Sequence, residues 1–204
     1  MSDLQCAATV LVARHGEAEY ETQLLSDAGG SLTRRGREQA GELGDALAAR
    51  NIAMVYTSSM ARAVQTAEIV AARVGSAVRV RDGLVELSVG NHAGQADAPG
   101  VFVPVFDRWR AGDLGAAVDG AESGERTVAR VSGVLAEMAD LHRGETVLAL
   151  SHGGVMSLVL PLLAANLSDT YAFGQPLGDA AWVELRVDAD GWRCARWGER
   201  RLDE

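Results

Sequence analysis

The chain contains no lysine, and each of its 19 basic residues is an arginine. A cationic site must therefore be built from guanidinium groups, whose planar fork fits the oxygens of phosphate and carboxylate groups. With 28 acidic residues, the formal net charge is -9. This balance argues against a nucleic acid or a membrane surface as the partner. A small anion can still bind at a local arginine cluster, because salt screens the distant charges.

Cysteines, aromatic residues and long apolar runs are also scarce. Cys6 and Cys194 show neither metal-ligand spacing nor a disulfide framework, so we expect two reduced thiols in a cytoplasmic protein, with one disulfide between terminal strands as the alternative. Aromatic residues make up 5% of the chain, which favours an aliphatic core. No run approaches the roughly 18 apolar residues of a membrane span, and the first residues lack the pattern of a signal peptide.

Strand-like runs alternate with longer helical patterns. The spacing predicts a helix N-cap at Thr33 and another at Ser58 or Ser59, and Pro161 is expected to bend or end its helix. Predicted strands span 9–13, 52–57, 78–80, 146–150 and the hairpin 180–197 with its turn at 188–191; predicted helices span about 33–50, 60–74, 105–110, 125–142 and 153–165. The alternation indicates an α/β fold with a mostly parallel sheet. We expect one domain, residues 1–204, with an irregular substrate-capping insertion at about 88–124.

Three candidate segments stand at the carboxyl ends of predicted strands, where ligands bind in parallel α/β sheets. Arg14 and His15 follow the first strand, residues 58–62 follow the second, and residues 151–154 follow the fourth. We expect these residues, although far apart in sequence, to meet on one rim.

The residue types in these segments suit a phosphate monoester, which is a dianion and needs positive charge around its oxygens. Arg14 and Arg62 can each offer a planar fork to those oxygens, and a protonated His152 would add a third positive group. Gly153 and Gly154 begin a predicted helix, whose unpaired N–H groups favour an anion. The three segments together therefore predict a phosphate pocket.

His15 has the chemistry of a nucleophile. A neutral imidazole can attack phosphorus through one ring nitrogen if a backbone carbonyl, for which Gly16 is the candidate, holds the proton of the other nitrogen. An alkoxide leaves poorly without a general acid. Glu86, which follows the third predicted strand between apolar residues, is the preferred acid, and Glu17 is the alternative.

Ordered motifs cover most of the chain: R-H-G-E at 14–17, L-T-x-x-G-x-x-Q-A at 32–40, S-x-x-x-R-A-x-x-T-A within 56–67, Glu86, an E-S and R-V pair within 122–131, and S-H-G-G at 151–154. This series resembles the histidine phosphatase superfamily, also called phosphoglycerate-mutase-like. The resemblance implies a three-layer α/β/α sandwich and no metal cofactor. It also implies His15 as the nucleophile, Glu86 as the proton donor, and a phosphate pocket of Arg14, Arg62 and His152.

Departures from the family pattern concern substrate contacts. The family often continues R-H-G-E-T-x-x-N, where this chain has Ala18 and Glu21, and the following loop is short and lacks the usual arginine. Where the family often has G-x-W-x-G, the chain reads G-N-H-A-G at 90–94. Specificity is therefore expected to lie in residues 18–31 and 88–124.

The expected function is a phosphomonoesterase that acts on a small phosphorylated metabolite through a phosphohistidine intermediate. One alternative is a phosphoglycerate mutase; the resemblance disfavours it, because mutases tend to have asparagine in place of Gly154 and a longer insertion. The other alternative is a catalytically idle protein that binds a phospho-ligand. A metal site of His15, His152 and a carboxylate is disfavoured because no H-x-H or H-x-x-x-H spacing occurs. No cofactor is expected, and a homodimer is left open.

Overall fold

A seven-stranded sheet forms the centre of the fold in the computed structural model, which describes residues 6–19, 24–96 and 100–202. The strands, in chain order, are β1 (Ala8–Arg14), β2 (Ala18–Glu19), β3 (Ser31–Leu32), β4 (Ile52–Thr57), β5 (Val78–Val80), β6 (Thr146–Ser151), β7 (Trp182–Asp188), β8 (Gly191–Trp197) and β9 (Arg200–Arg201). The sheet order is β5-β4-β6-β1-β7-β8-β9, and β2 pairs with β3 apart from it.

Parallel pairing joins β5, β4, β6 and β1, whereas β7, β8 and β9 continue the sheet by antiparallel pairing. The register sets Arg14 of β1 beside Ser151 of β6, and Thr57 of β4 beside Leu150. The carboxyl ends of β1, β4 and β6 therefore meet at one edge of the sheet. The predicted mostly parallel sheet and the predicted rim are both confirmed.

Helices cover both faces of the sheet, as expected for a three-layer α/β/α sandwich. They are α1 (Arg34–Leu47), α2 (Ala61–Val74), α3 (Val103–Arg110), α4 (Gly124–Leu141), α5 (Gly153–Leu163) and α6 (Tyr171–Gly174). Successive side chains of a strand point to opposite faces. In β1, Leu11 and Ala13 belong to the core formed with α1 and α2, while Val10 and Val12 belong to the core formed with α4 and α5. A strand buried on both faces explains the unbroken apolar run in this part of the sequence.

The helix starts show one correct and one wrong prediction. Thr33 caps α1, because its hydroxyl accepts a hydrogen bond from the N–H of Gly36 at 2.9 Å. Neither Ser58 nor Ser59 caps α2; Met60 occupies the N-cap position and makes no side-chain capping bond. The reason lies in the site, where the buried hydroxyl of Ser58 pairs with His152 instead. Pro161 lies inside the last turn of α5, which ends two residues later.

The irregular segments contain more structure than the sequence predicted. The short helix α3 begins at Val103, two residues before its predicted start, with Pro104 in its first turn. The ends of the predicted loop 18–31 pair as β2 and β3, whereas Glu21 lies outside the described residues. The hairpin of β7 and β8 is confirmed, but α6 and β9 were not predicted. Among the described helices, none combines the length and apolarity that a bilayer crossing requires.

Candidate active site

His15 follows β1 at the carboxyl edge of the sheet, and its backbone N–H donates to the backbone carbonyl of Ser151 at 3.1 Å. Its Nδ1 lies 2.7 Å from the carbonyl oxygen of Gly16, which can only accept. Its Nε2 lies 3.0 Å from Nε–H of Arg62, which can only donate. The imidazole is therefore the neutral tautomer with its proton on Nδ1 and its lone pair on Nε2. The predicted role of the Gly16 carbonyl in holding that proton is confirmed.

The surroundings of His15 keep its imidazole uncharged. Burial, followed by the positive charges of Arg62 and Arg14, lowers the pKa of His15 to about 4, although the hydrogen bond to the Gly16 carbonyl acts in the opposite direction. Only 6% of the residue is exposed. At neutral pH the Nε2 lone pair is thus present in nearly every molecule.

His152 follows β6 and lies beside His15, with 5.1 Å between the ring centroids. Its Nε2 pairs with the hydroxyl of Ser58 at 2.7 Å, and its buried Nδ1 has no hydrogen-bond partner among the described residues. Burial, with the charge of Arg62 and the proximity of His15, lowers the pKa of His152 to about 2. The protonated His152 considered from the sequence is therefore not found; the ring offers polar nitrogen atoms rather than a positive charge.

Arg62 lies in the first turn of α2 and is only 3% exposed. Besides the bond to His15, its Nη2 lies 3.5 Å from the sulfur of Met60. The backbone at Gly29 lies directly over the guanidinium, where a Cβ atom would overlap Nη1, and it has a φ of 69°. Glycine at position 29 is thus required twice, by the left-handed backbone and by the close approach to Arg62.

Arg14 contributes less of its fork than the sequence predicted. Its Nη1 donates to the carbonyl of Leu177 at 2.9 Å, and its Nη2 forms a 3.0 Å ion pair with Asp179. The buried Nε has no hydrogen-bond partner among the described residues and faces the start of α5 at Gly153. Each terminal nitrogen of Arg14 therefore has one N–H group engaged, and Nε–H is the donor left wholly available for an anion.

Glu86 lies at the N-terminus of α5. Its Oε1 accepts from the N–H groups of Leu87 at 3.0 Å and Val155 at 2.9 Å, and its Oε2 accepts from Gly154 at 2.9 Å. These donors and the helix dipole stabilise a negative charge, so the apolar sequence neighbours do not describe its surroundings. The Gly154 amide, expected to face phosphate, is committed to this carboxylate.

Arg130 of α4 supports the segment that leads into Glu86. Its Nη1 donates to the carbonyls of Gly83 at 2.9 Å and Val85 at 3.1 Å, and Glu122 pairs with the rest of the guanidinium. The E-S and R-V motif of the sequence is therefore a brace that joins the end of the 88–124 segment to the backbone before Glu86.

The remaining candidates lie at the margin of this cluster or outside it. Glu17 is exposed and accepts a 2.6 Å hydrogen bond from the hydroxyl of Thr33. His92 contacts Gln95, and His142 pairs with Tyr56 and Glu145. The structure thus brings together His15, His152, Arg14, Arg62, Glu86 and Gly153, the residues predicted from the sequence.

Sequence reasoning missed several residues that hold this cluster in place. Ser58 orients His152, Asp179 pairs with Arg14, and Thr66 accepts from the N–H of Gly16 at 3.1 Å. Ser58 stands directly after a predicted strand, which was a usable signal. Asp179 lies in a stretch without any motif, so the sequence contained no signal for it.

The lowered pKa values of the two histidines make stability depend on pH. In the unfolded chain both titrate near 6.5, so between pH 6.5 and about 4 the unfolded chain binds more protons than the folded one. The free energy of unfolding therefore falls as the pH falls, by roughly 1.4 kcal/mol per pH unit for each histidine. From pH 7 to pH 5 we expect each to remove about 2 kcal/mol.

Urea unfolding at pH 7, 6 and 5 tests this expectation. Glutamine cannot titrate, so His152→Gln should lose about half of the histidine contribution to the slope of the free energy of unfolding against pH. His92→Gln is the matched control, because His92 lies outside the cluster, and it should keep the full slope. A slope in His152→Gln equal to that of the wild type would contradict the buried, neutral state of His152.

Comparisons with known proteins identify the family and several relatives of this chain. A family model described as the histidine phosphatase superfamily (branch 1) matches residues 10–200. The glucosyl-3-phosphoglycerate phosphatase of Mycolicibacterium vanbaalenii is 28% identical, with 95% of this chain and 92% of that protein covered. Phosphoglycerate mutase-like protein 4 of Arabidopsis thaliana is 26% identical, with 94% of this chain and 85% of that protein covered.

Solved structures show the same architecture. Bacillus stearothermophilus YhfR superposes with a TM-score of 0.79 at 26% identity, covering 95% of this chain and 98% of that one. The native structure of a mycobacterial glucosyl-3-phosphoglycerate phosphatase gives a TM-score of 0.78 at 24% identity, covering 95% of this chain and 100% of that one. The second likeness speaks for the fold alone.

Proposed function

The chain belongs to the histidine phosphatase superfamily, and we propose that it is a phosphomonoesterase that hydrolyses small phosphorylated metabolites through a phosphohistidine on His15. The observation that supports this most strongly is the state of His15. Its Nδ1–H is held by the Gly16 carbonyl, and its Nε2 lone pair faces Arg62. A neutral imidazole with a fixed lone pair beside a guanidinium is arranged to attack an anionic phosphoryl group.

Three groups are proposed to bind the phosphoryl oxygens. Arg62 contributes a charged guanidinium, which turns its Nε–H from His15 to an oxygen when the substrate binds. Arg14 contributes its buried Nε–H. We propose that the Ser58 hydroxyl donates a hydrogen bond to Nε2 of His152, so that the neutral ring carries its proton on Nδ1 and offers Nδ1–H to a phosphoryl oxygen. Gly153, whose backbone faces Arg14 at the start of α5, completes the proposed pocket.

Two transfers then complete the reaction. In the first, His15 Nε2 forms a bond to phosphorus while the bond from phosphorus to the ester oxygen breaks, and Glu86 gives a proton to the leaving oxygen. In the second, water attacks phosphorus, Glu86 takes the proton of that water, and the bond from phosphorus to Nε2 breaks. Phosphate leaves, and both side chains return to their starting states.

Glu86 must bind a proton before the first transfer. We propose that the ester binds as its monoanion and passes its one proton to the Glu86 carboxylate, which leaves the phosphoryl group as the dianion that His15 attacks. The N–H groups of Gly154 and Val155 hold the carboxylate oxygens at the start of α5, directly after His152. This fixed position supports the proposal that Glu86 serves the leaving oxygen.

The proposed enzyme consists of one domain in which the segment 88–124 caps the substrate. The contacts of Ser88 and Val89 with Asp27 support this, because they join the start of the segment to the loop beside Arg62. A cytoplasmic location is supported by the free thiols of Cys6 and Cys194. No metal or organic cofactor takes part in the proposed steps.

Phosphoglycerate mutase activity is the alternative that the relatives raise, since some carry that name. A mutase would return the phosphoryl group from His15 to a second hydroxyl of the substrate instead of to water. It would need a phosphorylated primer and would isomerise phosphoglycerate. An idle phospho-ligand-binding protein would show neither reaction but would bind a phosphate ester tightly.

Release of inorganic phosphate from 4-nitrophenyl phosphate separates these functions. We expect steady turnover without a primer, unchanged within about twofold by EDTA, because the proposed phosphoryl acceptor and donors are side chains. Phosphoglycerate isomerisation should be negligible under the same conditions. Activity that requires a metal, or isomerisation that requires a primer, would contradict the proposal.

A further inference from the structure

Acidic side chains pair with two of the arginines in and beside the site. All 19 arginines belong to the described part of the chain. The two internal stretches outside it, 20–23 and 97–99, therefore add no positive charge; they contain Glu21 and Asp97. The pocket uses Arg14 and Arg62. Asp179 forms an ion pair with Arg14, and Glu17 follows Gly16 directly in the chain. The third arginine of this region, Arg130, is paired with Glu122.

Asp27 holds the two segments that border the pocket together. Its Oδ1 accepts from the N–H of Val89 at 2.7 Å, and its Oδ2 accepts from the hydroxyl of Ser88 at 2.7 Å. Ser88 follows Glu86 by two residues, and Gly29, two residues after Asp27, lies over Arg62. The exposed carboxylate of Asp27 is therefore fixed between the backbone that covers the phosphate-binding arginine and the backbone that carries the proposed acid.

This arrangement gives the pocket two electrostatic zones. The buried end presents Arg62 and the Nε–H of Arg14 to a phosphoryl group. On the outer side, where the alcohol part of a substrate is expected to lie, Asp27 stands between Gly29, which covers Arg62, and Ser88, two residues after Glu86. The carboxylate of Asp179 compensates Nη2 of Arg14. A second anionic group on the substrate would meet like charges there.

We propose that the enzyme selects phosphate monoesters whose alcohol part is neutral or cationic, and that Asp27 is a specificity-determining residue that rejects a second anionic group. The proposal rests on the proposed phosphomonoesterase function. It separates this chain from relatives whose names refer to phosphoglycerates, which carry a carboxylate beside the phosphate. One like-charge repulsion at about 10 Å in surroundings of intermediate dielectric corresponds to roughly tenfold in affinity.

The test compares three substrates of similar size at low salt: glycerol 3-phosphate, 3-phosphoglycerate and phosphoethanolamine. We expect kcat/KM for 3-phosphoglycerate to be at least about tenfold below kcat/KM for glycerol 3-phosphate, mainly because KM is higher. We expect kcat/KM for phosphoethanolamine to equal or exceed the value for glycerol 3-phosphate. Added salt should narrow the difference, because it screens exposed charges. A wild-type enzyme that hydrolyses 3-phosphoglycerate as well as glycerol 3-phosphate would overturn the proposal.

Asp27→Asn tests the residue itself. The amide can accept from Val89 and donate to the Ser88 hydroxyl, so the variant removes the charge while keeping both hydrogen bonds. We expect the ratio of kcat/KM for 3-phosphoglycerate to that for glycerol 3-phosphate to rise about three- to tenfold. Asp188→Asn removes one charge at the opposite edge of the sheet, in the hairpin turn, and should leave the ratio unchanged.

These experiments can reject the charge selectivity and the proposed phosphomonoesterase function separately. An absence of turnover with 4-nitrophenyl phosphate would reject the proposed function, whatever the charge of the substrate. Turnover with an unchanged ratio in Asp27→Asn would reject only the role of Asp27. An equal rise of the ratio in Asp188→Asn would show that net charge, rather than this carboxylate, sets the selectivity, and would overturn the assignment as well.

Discussion

Replacing His15 by alanine is expected to lower kcat by at least about 10⁴-fold, because the variant has no atom that can accept the phosphoryl group. Arg14, Arg62 and His152 would remain and could still bind phosphate. The loss should therefore appear in kcat, with a smaller change in KM. Steady-state kinetics with 4-nitrophenyl phosphate at neutral pH measures both constants.

The same variant also tests the covalent step. Wild-type enzyme quenched during turnover of a ³²P-labelled ester should retain acid-labile, base-stable label on one histidine, and His15→Ala should retain none. Far-UV circular dichroism should show an unchanged fold, because alanine fits the end of β1 and the strand is held by its neighbours β6 and β7.

His142→Ala is the control for His15→Ala. His142 follows the end of α4, outside the site and the 88–124 segment, and its ring pairs with Tyr56 and Glu145. We expect its activity to stay within about twofold of the wild type. Activity of a well-folded His15→Ala variant above about 1% of the wild type would reject the nucleophile assignment.

Glu86→Gln is expected to lower kcat for alkyl phosphates by about 10²- to 10⁴-fold and for 4-nitrophenyl phosphate by much less. An alkoxide needs a proton as it leaves, whereas nitrophenolate is stable without one. The ratio of the two losses is the informative quantity, and glycerol 3-phosphate and 4-nitrophenyl phosphate are suitable substrates for it.

The structure shows why the ratio, rather than the absolute loss, must be measured. The carboxylate of Glu86 accepts from Leu87, Gly154 and Val155, but a glutamine amide has one acceptor oxygen and an NH₂ group that would face an N–H donor. A disturbed start of α5 would cost about 1–3 kcal/mol and would reduce both activities alike. Loss of the proton donor reduces only the alkyl phosphate reaction.

Glu17→Gln completes this experiment. Glu17 was the alternative donor, and its carboxylate is exposed and bonded to Thr33 at the start of α1. We expect it to change both activities equally and by less than about fivefold. If the selective loss appears in Glu17→Gln and not in Glu86→Gln, the proton donor is Glu17.

Local patterns were sufficient for most of the framework. The apolar run before Arg14 predicted β1, because a strand buried on both faces has no room for polar side chains. The spacing around Thr33 predicted a helix start, since its hydroxyl needs only a partner three residues away. The turn at 188–191 likewise depends on a few adjacent residues. Because parallel strands share one carboxyl edge, the sequence also predicted that both histidines would meet.

The functional state of each side chain was decided by partners distant in sequence. Ser58 was predicted to cap a helix, but it contacts His152 because β4 and β6 are neighbours in the sheet. Arg14 was predicted to offer its whole fork, but Asp179 and the carbonyl of Leu177 each engage one of its terminal nitrogens.

Patterns along the chain are therefore sufficient to predict which residues reach the carboxyl edge of the sheet. Their charge and their remaining hydrogen bonds depend on how distant segments pack around them. Burial makes both histidines neutral, and the start of α5 supplies the donors to the Glu86 carboxylate. The physical reason is range: a strand or a cap depends on neighbours a few residues away, whereas desolvation and pairing depend on everything that packs around a group.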